Sequence, residues 1–179
     1  MVSTNISTPT LQIGASGSAV RDLQDLLLKN ISISGLTVDG DFGQITELAV
    51  EVFQYRNFLE DDGVVGPLTW RVLLNGGLGH LPLLRRGDRN ITVERLQRAL
   101  TLGEATGPLN EAQEIAGTRG FYFGAIDGDF GPMTERAVIL FQQSSPFGRP
   151  PLAPADGIVG AQTWNALAGM VARISHHFL

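Results

Sequence analysis

Apolar residues recur along this chain at helical spacing, in six stretches. Val20, Leu23, Leu26 and Leu27 form the first. Ile45, Leu48, Ala49, Val52 and Phe53 form the second, an i, i+3, i+4, i+7, i+8 stripe of the kind that faces a core. A shorter third holds Trp70, Leu73 and Leu74. The order then repeats, with Val93, Leu96, Ala99 and Leu100, next Met133, Ala137, Leu140 and Phe141, and last Trp164 and Leu167. No strand-like alternation interrupts these stretches. The pattern predicts an all-α chain of two tandem compact three-helix domains.

An eight-residue pattern, Asp-Gly-x-φ-Gly-x-x-Thr with Phe or Val at φ, occurs four times, starting at Asp39, Asp62, Asp127 and Asp156. The Phe form leads into a helix ending in Phe53-Gln54 or Phe141-Gln142, and the Val form into Thr69-Trp70 or Thr163-Trp164. This alternation makes the chain a tandem duplication. Each copy reads as a helix entry. The Gly after Asp suits a positive-φ turn. The second Gly serves as N-cap, and Pro67 and Pro132 fit the first helical position, where an N–H has no partner to lose. The Thr falls at the third helical position, and its hydroxyl is expected to meet the upstream Asp carboxylate or a free backbone N–H. The Phe or Val is expected to fold back onto the helix it precedes, as in a hydrophobic staple.

Residues 1–10 read as a flexible N-terminal segment. Domain 1 follows at 11–75, a Gly-rich linker at 76–82, domain 2 at 83–170 and a tail at 171–179. Gln97 to Asp127 is 30 positions where Gln24 to Asp39 is 15, and Gln142 to Asp156 is 14 where Gln54 to Asp62 is 8, so domain 2 carries two loop insertions. The first is expected to add a short helix near Asn110–Ala116. The second, with Pro146, Pro150, Pro151 and Pro154, is expected to form an ordered but irregular loop. Such loops either cap a bundle or shape a recognition surface. Matched at Gly17 and Gly87, domain 2 also reads as three residues longer before Val93.

The residues Gly17, Val20, Leu23-Gln24, Asp39-Gly40, Phe42-Gly43, Thr46, Ala49-Val50, Phe53-Gln54, Asp62-Gly63, Val65-Gly66, Thr69-Trp70 and Leu73 together resemble the bacterial peptidoglycan-binding domain of the three-helix type. The same motif returns at Gly87, Val93, Leu96-Gln97, Asp127-Gly128, Phe130-Gly131, Thr134, Ala137-Val138, Phe141-Gln142, Asp156-Gly157, Val159-Gly160, Thr163-Trp164 and Leu167. The resemblance covers most of the chain. It implies non-catalytic attachment to the cell wall, through glycan strand and stem peptide, in the envelope, periplasm or extracellular space. It also implies a cell-wall hydrolase or an envelope protein as companion. The alternatives are a module repurposed to bind protein in an envelope, phage-like or secretion assembly, and the targeting part of a wall hydrolase. The departures in repeat 2 imply an altered or blocked groove there, with repeat 1 the better binder.

Composition narrows the chemistry. The chain has 179 residues, no Cys and three His, so thiolate nucleophiles, disulfides and Cys-bound zinc are excluded. His80, His176 and His177 match no zinc motif, and no cofactor or metal is expected. Counted from Asp39, positions 5 and 12 of a calcium loop are Gly43 and Val50, and from Asp127 they are Gly131 and Val138, which leaves the ligand set incomplete. No apolar run reaches the length of a membrane span, and Met1–Thr10 lacks the features of a secretory signal. Net charge is −5, all of it in residues 1–79, which hold 4 basic and 9 acidic side chains. That sign disfavours nucleic acid as a partner. The basic cluster Arg85, Arg86, Arg89, Arg95 and Arg98 reads as a solvated face.

A net-negative protein needs directed hydrogen bonds to hold wall material. The Asp-Gly loops and helix starts supply the candidates: Asp39, Asp41, Gln44, Asp62, the Val64 backbone, Asp127, Asp129, Asp156 and Gln162. Tyr55 and Arg56, just past an apolar stripe, are candidates for surface contact. Trp70 and Trp164 either stack on sugar rings or pack in the core, and the core is the favoured role.

Overall fold

The computed structural model describes residues 8–76, 78–102, 120–144 and 151–175. Two compact units divide at Gly77 and Leu78. Unit 1 holds α1 (Ser18–Asn30), α2 (Gln44–Arg56) and α3 (Pro67–Asn75). Unit 2 holds α4 (Ile91–Leu102), α5 (Pro132–Gln143) and α6 (Ala161–Ser175). Among the described residues, β-pairing is limited to isolated bridges. The expected helix at Asn110–Ala116 and residues 145–150 of the Pro-rich insertion lie outside the described residues. The third helix of unit 2 runs on to Ser175, into the stretch that reads as a tail, and Met170 and Val171 are buried in its core.

Each Asp-Gly loop is gripped by a buried glutamine from the helix before it. Gln24 Nε2 donates to Asp39 Oδ1 at 2.8 Å and to the Asp41 carbonyl at 3.0 Å, and lies 3.1 Å from Thr46 Oγ1. Gln24 Oε1 accepts the Gly40 N–H at 2.9 Å. Gln54 repeats this on Asp62, Val64, Thr69 and Gly63. Gln97 does so on Asp127, Asp129, Thr134 and Gly128, and Gln142 on Asp156, Ile158, Thr163 and Gly157. The Asp closes the loop by accepting the N–H two residues on, at 2.9 Å in all four copies. The Gly between them takes φ of 88° at Gly40 and 71–75° at Gly63, Gly128 and Gly157. That left-handed conformation is cheap only for Gly.

The expected role of the Thr is corrected by these contacts. Its hydroxyl meets the glutamine and a loop carbonyl (Thr46 to Asp41 O, Thr134 to Asp129 O, Thr163 to Ile158 O), not the Asp carboxylate or a free N–H. The glutamine has already claimed the carboxylate oxygen.

The same contacts rotate the helices. For Thr46 and Gln54 to face inward, α2 buries Thr46, Ala49, Val50, Phe53, Gln54 and Arg56. Ile45 and Leu48, which the periodicity puts on the core face, are 45% and 41% exposed, and Met133 in α5 is 52% exposed. Satisfying buried polar groups outweighs burying these two or three apolar side chains, because an unmade buried hydrogen bond costs about as much as a buried aliphatic side chain contributes, roughly 1–3 kcal/mol each.

A lead segment ties both loops of each unit together. Leu11 exchanges backbone bonds with Val65 (3.2 and 2.8 Å), Gly14 N–H donates to Phe42 O (2.9 Å), and Gly17 N–H donates to Gly40 O (2.9 Å). In unit 2, Leu84 pairs with Val159, Gly87 N–H donates to Phe130 O (3.0 Å), and Asn90 N–H donates to Gly128 O (3.1 Å). Gly87 therefore corresponds to Gly14, not Gly17, and both have positive φ. Gly14 to Val20 and Gly87 to Val93 are each six positions, so the expected three extra residues do not exist. Asn90 takes the place of Gly17. Its Oδ1 accepts the N–H of Thr92 (2.9 Å) and of Val93 (3.1 Å), a cap that Gly17 cannot make. Pro9 and Pro82, assigned from sequence to a flexible N-terminal segment and a linker, accept the indole N–H of Trp70 (2.7 Å) and Trp164 (2.8 Å).

Three outcomes follow for stability. Gln24→Ala leaves the buried Gly40 N–H and the Asp41 carbonyl without their partner, and should cost about 3 kcal/mol in urea unfolding. Asn90→Ala removes a helix cap and should cost about 1 kcal/mol by the same assay. The Asp41 N–H, the Gln24 amide and the Thr37 hydroxyl hold the Asp39 pKa at about 2, below its ordinary 3.8. A depressed pKa stabilises the fold at pH above the unfolded value and is lost as pH falls through the folded one. The urea midpoint of wild type should therefore exceed that of Asp39→Asn above pH 4, and the gap should close between pH 4 and 2.

Candidate functional site

The candidate residues separate into those the fold consumes and those it presents. Asp39, Asp62, Asp127 and Asp156 are exposed, yet each spends one oxygen on its glutamine and on a loop N–H. Both backbone groups of Val64 are taken, the N–H by Asp62 and the carbonyl by Gln54, so the Val64 backbone is not the open donor and acceptor expected from sequence. Trp70 and Trp164 are 1% exposed, which leaves no indole face for a sugar ring. Tyr55 is half-buried and Arg56 is buried.

What remains on the surface lies at the helix entries. Asp41 and Gln44 are exposed at the start of α2, beside the outward-facing Ile45 and Leu48. Gln162 is exposed in the first turn of α6. This pairing of directed polar groups with exposed apolar side chains comes from the helix rotation that the glutamines impose.

Unit 2 has an open pocket of about 510 Å³ at the entry of α4, lined by Arg89, Asn90, Ile91, Glu94, Asp127, Gly128 and Asp129. It brings together two predicted residues, Asp127 and Asp129. Sequence reasoning missed Glu94 and treated Arg89 only as part of a basic face. Arg89 bridges Asp129 at 2.7 Å. The Gln97 amide and the Asp129 N–H hold the Asp127 carboxyl below its usual range, with a smaller contribution from Arg89. The mouth thus offers a cation and fixed anions side by side.

With Gly14 matched to Gly87, the positions compare directly. Arg21 of unit 1 corresponds to Glu94. Arg21 lies over Gly40, with Nε and Nη2 each 3.3 Å from the Asp39 carbonyl. The five arginines of the basic cluster replace Gln12, Ile13, Ser16, Asp22 and Asp25. Arg86 pairs with Glu135 (3.3 Å) and Arg98 with Glu94 (2.7 Å), the arginines exposed and the glutamates half-buried at the surface. Such pairs contribute about 0–1 kcal/mol and largely cancel the local charge. One signal for the missed loop grip was available. A Gln directly follows a large apolar residue (Leu23, Phe53, Leu96, Phe141) in the helix before every one of the four loops.

Among the described residues, no group of three or more His, Cys, Asp or Glu is placed to hold a metal ion, and no helix is long and apolar enough to cross a membrane. Residues 16–73 and 117–167 match the family described as "Putative peptidoglycan binding domain". The chain is 46% identical over 67 residues to an uncharacterized protein of Kitasatospora aureofaciens, covering 37% of this chain and 57% of that one. It is 28% identical over 162 residues to the N-acetylmuramoyl-L-alanine amidase CwlL of Bacillus licheniformis, covering 86% of this chain and 43% of that one. Among solved structures it is similar to the SleB N-terminal domain, at 38% identity and a TM-score of 0.37, over 39% of this chain and 94% of that one. The chain spans about half the length of these curated relatives. With its two matched segments, each carrying two Asp-Gly loops, this chain belongs to the peptidoglycan-binding domain family in two tandem copies.

Proposed function

We propose that this chain binds cell-wall peptidoglycan without catalysing a reaction on it, and that it works in the cell envelope as a wall anchor. The observation that carries this reading is the family match in both units, on the residues that build the four gripped loops. Unit 1 supplies the principal surface, with Asp41 and Gln44 as hydrogen-bonding groups and Ile45 and Leu48 as apolar contacts. In unit 2 the pocket with Asp127 and Asp129 takes the corresponding place, and Gln162 borders the second loop. A repeating polymer offers sites to both units at once, so their linkage raises apparent affinity through effective concentration.

A second reading keeps the same binding event. The chain spans 43% of the CwlL amidase, and that overlap supports a role as the targeting part of, or partner to, a wall hydrolase. A module repurposed for protein binding draws no comparable support.

The test is co-sedimentation of the intact chain with purified sacculi. Wild type should pellet and be released by soluble wall fragments. A chain carrying Asp41→Ala, Gln44→Ala and Leu48→Ser should lose about tenfold in retention, the weight of a few surface contacts, with an unchanged melting temperature. If wild type stays in the supernatant across several wall types, peptidoglycan binding is ruled out and protein partners become the search.

A further inference from the structure

Arg56 is the only charged side chain among the described residues that the fold buries, at 7% exposure. Its Nε and Nη2 are closed to solvent and have no hydrogen-bond partner. Burial pushes the guanidinium pKa down from its ordinary value, yet an arginine remains charged at any physiological pH. The rest of the unit's buried polar set is satisfied. Gln24, Gln54, Thr46 and Thr69 all sit in the loop grips. Arg56 is the exception in a well-paired core, and a buried orphan of this kind calls for an unseen partner.

The identity of the two orphan atoms specifies that partner. Nε and Nη2 share one edge of the planar guanidinium and point their N–H groups in parallel. That edge matches the two oxygens of a single carboxylate. The chain next to it is also unusual. After Arg56, Phe58 N–H donates to Tyr55 O (3.2 Å) and Leu59 N–H to Gln54 O (2.9 Å), the bonding of a Schellman helix end. The left-handed position of that motif, normally Gly, is occupied by Phe58 with φ 56°. A bulky residue held there is strained, and such strain clusters at sites that move or bind. Arg56 corresponds in unit 2 to Ser144, an uncharged residue whose hydroxyl donates to Phe141 O at 2.6 Å.

We infer that Arg56 is a carboxylate-binding residue of unit 1, whose Nε–Nη2 edge receives both oxygens of one carboxylate when the strained Asn57–Leu59 turn shifts. Under the wall-binding reading, that carboxylate is a free one on the stem peptide. Only this source depends on that reading, and the carboxylate chemistry does not.

The test follows the Arg56 Nε–Hε resonance of the ¹⁵N-labelled intact chain, assigned by its loss in Arg56→Lys. Three probes are titrated: sodium acetate, a muramidase-released disaccharide-tetrapeptide with free carboxylates, and the same fragment amidated. The resonance should move with the free-carboxylate fragment, which should bind at least about tenfold tighter than the amidated one, the weight of one charge-assisted pair. Arg56→Met should bind that fragment about tenfold more weakly and melt no lower than wild type, because an apolar chain replaces an unpaired buried charge. Movement with acetate but not with either fragment upholds the carboxylate site and removes its wall source. A resonance unmoved by all three probes, or equal affinity of Arg56→Met and wild type, overturns the inference. Sacculus pelleting run alongside separates the two ideas. If Arg56→Met pellets as wild type does and the resonance is silent, wall binding stands and the inference falls. If wild type does not pellet while the resonance moves with acetate, the reverse holds.

Discussion

A buried glutamine carboxamide holds each loop of this protein, and the rest of each unit is arranged around it. The carboxamide presents two donors and an acceptor from one rigid plane. A carboxylate oxygen, a backbone carbonyl and a glycine N–H meet it in each of the four loops. Neither an Asp alone nor a Thr alone could do this, since each leaves a loop amide or carbonyl buried without a partner. The loops in turn set where the following helices begin and which side of them faces inward. They also provide the edges to which Leu11 and Leu84 pair.

That dependence explains which features were legible in the sequence. Helix existence follows from apolar spacing, and the loops from the Asp-Gly signature, because both are local properties. The direction of the α2 face was not legible from hydrophobicity. Ile45 and Leu48 fit the periodic template better than Thr46 and Gln54 do, and yet the latter pair is buried. A rule that scores apolar residues inward cannot register a polar side chain whose partners lie 8 to 37 positions away in the chain. The alignment of Gly87 failed for a related reason. Gly14 and Gly17 both precede α1, and only the bonds to Phe42 and Gly40 show which one Gly87 replaces.

The candidate site was less legible than the fold. Exposed carboxylates in a repeated motif look like ligand groups, whereas the first Asp of each loop has an internal use that fixes it. The same holds for the Val64 backbone. Surfaces free to vary lie one residue beyond the gripped atoms, and there the two units differ. Arg21 over the first loop gives way to Glu94, and Ser16 to Arg89, while the grip beneath is unchanged. A shared internal scaffold with a rearranged rim charge gives two chemically distinct entrances on one fold.

The Arg56 turn extends this logic into the core. In unit 1 the residues after Phe53-Gln54 place a charge where unit 2 has Ser144, and a Phe where the backbone favours Gly. Both choices work against stability, and no bond within the described residues offsets the first. Features that weaken a fold locally are the ones most often bound up with binding or movement. A scaffold fixed by its glutamine grips can carry such a turn without losing its shape, because the strain falls outside the bonds that define the loops. The grip and the unpaired charge are thus complementary. One makes the unit rigid enough to hold a buried guanidinium edge in place, and the other gives that rigidity a chemical target.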